Sequence, residues 1–141
     1  MVCSRRQRGV LRTLTGPSAR IRALLRRTSL DSQPVKIAFL IITDDVQRAT
    51  PGLVMATRLK VNRGADVRVL FFGPGVKLAS SGAIDEQLTA MREAGLVPTA
   101  CTANADQYGV RAEIDARPIE LLAAGAEVAA YATEGYTVLS F

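Results

Sequence analysis

The sequence predicts a doubly wound α/β domain over residues 34–141, with a mostly parallel sheet of four or five strands and helices on both faces. Three observations carry that expectation. Short apolar runs alternate with segments of helical periodicity, the pattern of a parallel sheet with covered faces. The opening run 35–43 (V-K-I-A-F-L-I-I-T) is continuously apolar and β-branched, as suits a strand buried on both sides. Gly64, Gly95 and Gly135 each stand where a helical pattern stops, the place of a left-handed C-terminal cap.

The elements follow in order. After strand 35–43, Thr50-Pro51 reads as a helix start, with Thr50 as N-cap and Pro51 in the first helical position. That helix carries Leu53, Ala56 and Leu59 and ends at Gly64. Strand 66–72 (D-V-R-V-L-F-F) closes on Gly73-Pro74-Gly75. A helical turn at 76–79 precedes a helix near 84–94, where Ile84, Leu88 and Met91 share one face. Strand 96–101 contains Pro98, which removes a ladder donor and predicts a short or edge strand. From 104 a loop turns helical towards 116, and 118–122 reads as a strand with competing helical character. Residues 126–133 are Ala-rich and helical, and 136–141 (Y-T-V-L-S-F) is the last strand.

Charge is divided unevenly. Residues 1–33 hold eight Arg and one acid, Asp31, for a net charge of +7. Residues 34–141 hold ten Lys and Arg against twelve Asp and Glu, for −2. The basic segment 1–33 is expected to be a disordered N-terminal extension, because organised patterning begins abruptly at Val35. A transit peptide or an arm for an anionic partner shares its composition. The domain itself has no basic footprint, so no nucleic-acid partner is expected. The longest apolar run, 37–42, is too short for a membrane span, and no apolar leader follows the basic start. Two cysteines, Cys3 and Cys101, make no disulfide framework and fit a reducing, cytoplasmic setting.

The chain has no histidine, which excludes Ser-His and Cys-His pairs and histidine-ligated metals. Cys101 is then the one candidate nucleophile in the domain, at the expected carboxyl end of the third strand, the edge where open α/β sheets bind ligands. A buried cysteine is commonly an inert small hydrophobe. Against that stand the polar neighbours Thr99, Thr102 and Asn104, and a following helix whose N–H groups would favour the thiolate. Asp106 opposes the thiolate and Arg111 offsets Asp106. On the functional reading the thiol is exposed.

Gly73-Pro74-Gly75 lacks the third glycine of a dinucleotide fingerprint, since position 78 is Leu, and reads as a tight turn. Asp44-Asp45 could ligate a metal or work as an acid–base pair, but no third ligand or partner is evident, so turn and capping roles are expected and no metal. Asp44, Gly73, Gly75, Asn104 and Tyr108 are candidate lining of a cleft around Cys101.

Four segments carry a resemblance: 35–43, 71–79 (F-F-G-P-G-V-K-L-A), 93–110 (E-A-G-L-V-P-T-A-C-T-A-N-A-D-Q-Y-G-V) and 135–141 (G-Y-T-V-L-S-F). In this order they resemble the DsrE/DsrF-like family, which includes TusD-like sulfur-relay subunits. The resemblance spans nearly all of 35–141. It implies a single three-layer α/β/α domain that works as a homo- or hetero-oligomer, and a homo-oligomer, a trimer or hexamer, is expected here. Cys101 matches the position of the family's persulfide-accepting cysteine, and sulfur donor and acceptor proteins would be its partners, with no cofactor. The second cysteine sometimes found a few residues later is absent, since 102–108 is T-A-N-A-D-Q-Y. The alternative is a non-catalytic oligomeric domain of the same fold that binds a small ligand or a protein.

Overall fold

The computed structural model describes residues 33–141. The basic extension expected at 1–33, Gln33 apart, lies outside the described residues. Strands β1 (Lys36–Ile41), β2 (Asp66–Phe71), β3 (Thr99–Cys101), β4 (Glu120–Leu122) and β5 (Thr137–Ser140) form one sheet. Its order is β4-β3-β2-β1-β5 and every neighbouring pair is parallel. Between the strands run α1 (Val46–Arg63), α2 (Gly75–Ser80), α3 (Asp85–Glu93), α4 (Thr102–Gln107), α5 (Arg111–Asp115) and α6 (Ala124–Glu134).

The path from β1 to β4 steps one strand at a time in one direction. Right-handed crossovers therefore put α1, α3 and α5 on the same face. Arg117, just after α5, reaches Asp85 of α3 at 3.0 Å on that face. The connection from β4 to β5 travels back across the sheet, so α6 lies on the opposite face. Arg68, in the middle of β2, pairs there with Glu127 at 3.4 Å and Glu134 at 2.7 Å of α6.

Three of the element boundaries that differ from expectation have a plain physical cause. α1 begins at Val46 rather than after Thr50. Asp45 is its N-cap, and its carboxylate accepts from the N–H groups of Gln47 (2.8 Å) and Arg48 (3.3 Å). That cap outweighs Pro51, which sits inside the helix. β3 is shorter than 96–101 because Gly95, at φ +70°, and Pro98 hold the chain off the ladder. α4 starts directly after Cys101, where a loop was expected.

The core lies mainly between the sheet and the α1 face. Phe39, Ile41, Leu53, Ile84, Leu88 and Met91 are all buried there. Phe141 stacks on Phe39 with ring centroids 5.9 Å apart. Room for it comes from Gly52, where a Cβ would stand 2.9 Å from the Phe141 ring. Burial of one such ring contributes about 1.5–3 kcal/mol.

Gly75 sets a second close approach. A Cβ there would overlap the Ile41 carbonyl, with the carbonyl carbon at 2.8 Å. The first turn of α2 thus seats directly on the end of β1. Gly75→Ala should destabilise the domain by about 1–3 kcal/mol. Gly125→Ala, in α6 with open space around it, should leave stability unchanged or raise it by up to about 1 kcal/mol. Thermal melts of the two variants check this, and equal midpoints would contradict it.

α6 is anchored by Tyr131, which is fully buried. The Arg68 guanidinium lies 5.8 Å from its ring and 4.8 Å from that of Tyr136. The Tyr131 hydroxyl has no hydrogen-bond partner. Burial, with the nearby Glu127 charge, raises its pKa well above the ordinary value. Burial also raises that of Tyr136. A raised phenol stabilises the fold fully below the unfolded-state value, about 10, and that stability is lost as pH climbs towards the folded-state value. The unfolding free energy should therefore fall from about pH 10 upward, by at most about 1.4 kcal/mol per pH unit for each phenol, and the melting temperature with it. Tyr131→Phe should flatten that limb and leave the midpoint at pH 7 unchanged or higher. Identical alkaline limbs in the two proteins would refute the assignment.

Candidate functional site

A parallel sheet gathers the loops after its strands along one edge. Here β1, β2 and β3 each send the chain to the α1 face, while β4 sends it to the α6 face. The winding therefore reverses between the ends of β3 and β4, and such a switch point opens a crevice at the carboxyl edge. Cys101 is the last residue of β3 and is paired with Leu122, the last residue of β4. It stands at the switch point.

The pairing also fixes its direction. Thr99 is registered with Leu70, two residues beyond Arg68, so Thr99 and Cys101 lie on the α6 side of the sheet. The Cys101 backbone is extended (φ −68°, ψ 116°) and forms the N-cap of α4, without a side-chain cap bond. The thiol is unpaired in any disulfide and only 5% exposed. The expectation of an exposed thiol is therefore corrected. With no loop between β3 and α4, and with β4 alongside, little room is left for solvent.

Side chains beyond Cys101 lock this edge together. Thr102 Oγ1 donates to the Leu122 carbonyl at 3.1 Å, bracing β3 against β4. Asn104 Oδ1 accepts from the Gly73 N–H at 2.9 Å, bracing α4 against the turn after β2. Gly73 adopts φ +55°, a conformation that favours glycine. Asn104 Nδ2 donates to Gln107 Oε1 at 3.2 Å. Arg111 grips Asp106 with two bonds, of 2.6 and 2.7 Å, which holds the Asp106 carboxyl below its ordinary pKa. That pairing offsets the Asp106 charge as the sequence suggested. Lys77 of α2 lies 4.6 Å from the centre of the Tyr108 ring.

Of the expected lining residues, Asn104, Gly73 and Tyr108 share this edge. Gly75 is buried beneath it as a packing residue. Asp44 is exposed in the loop after β1, outside the bonded cluster, while its neighbour Asp45 serves as the cap of α1. Among the described residues no three Cys, Asp or Glu side chains gather as a metal group, and no helix is long and apolar enough to cross a membrane. Lys77 and Leu122 were missed. Only the return of the chain across the sheet after β4 marks Leu122, and the sequence does not display that turn. On the same α6 side, Leu40, Phe72, Ala124, Gly125 and Val128 line a wholly apolar cavity of about 330 Å³.

A model of the DsrE/DsrF-like family matches residues 35–141. No curated protein matches the chain. Among solved structures, a conserved protein of unknown function from Bacteroides thetaiotaomicron is 19% identical, with a TM-score of 0.65 over 75% of this chain and 95% of that one. A protein of unknown function from Methanobacterium thermoautotrophicum is 15% identical, with a TM-score of 0.66 over 76% of this chain and 99% of that one. The ychN protein of E. coli is 15% identical, with a TM-score of 0.61 over 76% of this chain and all of that one (100%). At these identities the likeness is one of fold.

The Asn104–Gly73 bond yields a direct check. Asn104→Ala leaves a half-buried N–H without its acceptor and should cost about 1–3 kcal/mol. Asn104→Asp keeps an acceptor oxygen and should recover most of that. Denaturant titration measures both, and an unchanged midpoint in Asn104→Ala would show that the bond does not hold the edge.

Proposed function

The chain belongs to the DsrE/DsrF-like family, and from that premise we propose that it carries sulfur as a persulfide on Cys101, between a donor and an acceptor protein. The observation that carries this reading is the position of Cys101 at the switch point, on the end of β3 and the N-cap of α4. Ligand chemistry in open α/β sheets concentrates there.

The chemistry is thiol–persulfide exchange. The Cys101 thiolate attacks the terminal sulfur of the donor's persulfide. A sulfur–sulfur bond forms at Cys101 as the donor's bond breaks, and the donor leaves as a thiolate. A thiol of the acceptor then attacks the terminal sulfur now on Cys101 and restores the Cys101 thiolate. The oxidation level of the carried sulfur is unchanged throughout, so no cofactor or external oxidant takes part.

Burial gives the site its character. With Cys101 only 5% exposed, the site is shielded from water and stray thiols. Loading therefore requires local opening of the edge, at the contacts of Thr102 and Asn104. The partner proteins are the agents of that opening. The homo-oligomer, a trimer or hexamer, is part of the same reading. Phe72 and Val128, 43% and 40% exposed beside the apolar cavity, offer it a contact face.

The same low exposure favours a second reading, a non-catalytic binding domain in which Cys101 is a packing residue. One experiment separates the two. The full chain is incubated with glutathione persulfide, digested and weighed by mass spectrometry. Sulfur carriage predicts a gain of one sulfur atom on the peptide containing Cys101, removed by a thiol reductant and absent in Cys101→Ser. A Cys101 peptide of unchanged mass, with the donor still active on a control thiol, would assign the chain to the binding reading.

A further inference from the structure

We propose that β5 is a dimerisation edge, along which two copies of the chain pair antiparallel and join their sheets. The proposal rests on the homo-oligomer part of the reading above, in its hexameric form, since a hexamer of three dimers contains two-fold contacts and a trimer does not; it is independent of sulfur carriage.

β5 forms one rim of the sheet, and β1 is its one strand neighbour among the described residues. All its residues are exposed, including Val138 at 43% and Leu139 at 36%. Successive residues of a strand send their N–H and C=O groups to opposite sides. Phe141 spends both on β1: its N–H donates to Leu40 O at 3.0 Å and its C=O accepts from Ile42 N–H at 2.8 Å. Leu139 and Thr137 share that side. Val138 and Ser140 therefore turn both of their backbone groups outward.

The opposite rim is guarded and this one is not. β4 is three residues long, follows Pro118 and carries Glu120. A short strand, a proline and a charge all discourage strand addition. From Gly135 to Phe141 there is neither a charged side chain nor a proline. An unguarded edge with apolar side chains is a template for another strand.

A second copy fits that template. Because β5 is uncharged, pairing with itself opposes no like charges. A two-fold axis through Leu139 sets Val138 against the partner's Ser140 in a hydrogen-bonded pair, and the converse pair follows by symmetry. Leu139 then meets the partner's Leu139 on the α1 side, in the closely spaced non-hydrogen-bonded position. The two-fold closes the contact and leaves no free β5 edge. A foreign peptide strand is normally specified by side-chain pockets or charges, and this edge supplies no charge.

Two measurements on the full chain test the idea. Amide hydrogen exchange should find the Val138 and Ser140 N–H groups protected, with protection that falls on dilution. Exchange at open-strand rates at every concentration would overturn the proposal. So would protection unchanged by dilution in a chain that sediments as a monomer. Sedimentation should then show Leu139→Lys and Leu139→Glu dissociating at least about tenfold more readily than the parent chain. An equal mixture of the two should recover the dimer, since opposite charges meet across the axis. An oligomer unmoved by either variant would overturn the β5 contact and leave the homo-oligomer reading standing. A monomeric parent chain would overturn both.

Discussion

The reversal of the chain after Leu122 is the constraint on which the rest depends. Up to β4 every crossover steps the same way and stacks its helices on one face. A further step in that direction would have left the other face bare. Returning by α6 instead covers the second face, places β5 beyond β1 and opens the crevice between the ends of β3 and β4. The position of Cys101 follows from that reversal and needs no special feature of the cysteine.

Small contacts hold the reversal in place. Arg68 points to the α6 face and is met by Glu127 and Glu134, so α6 is fixed over the middle of the sheet. Gly75 and Gly52 let α2 and Phe141 approach more closely than any side chain would allow. The Asn104 and Thr102 bonds then draw the loops of the carboxyl edge inward. The result is a nucleophile at a ligand-binding edge with little exposure. A buried carrier and an inert packing thiol differ in how readily that edge opens, and a static arrangement serves both.

Much of this was legible in the sequence. The apolar runs at 35–43 and 66–72 and the glycine stops at 64, 95 and 135 fixed the early strands and helices, because burial and left-handed caps are local demands. Boundaries decided by competing local bonds were less visible. Asp45 outcompeted the Thr50-Pro51 signal as a cap, and β3 lost residues to Gly95 and Pro98. The burial of Cys101 was not legible, because it depends on β4, which pairs with it from a distance in sequence. Nor was the cation beside Tyr108, since Lys77 arrives from another helix. The four segments that carry the family resemblance contain β1, the end of β2, β3 and β5, whose existence and order do not depend on where the helices begin.

The most direct test of a buried carrier thiol is the alkylation rate of Cys101 in a Cys3→Ser chain, followed from zero to mildly destabilising urea. Local opening exposes little surface and depends weakly on denaturant, whereas global unfolding depends on it steeply. The account predicts a measurable rate in water that stays nearly flat until the unfolding transition begins. A rate that follows global unfolding from the first addition of urea would make Cys101 a core residue and contradict sulfur carriage.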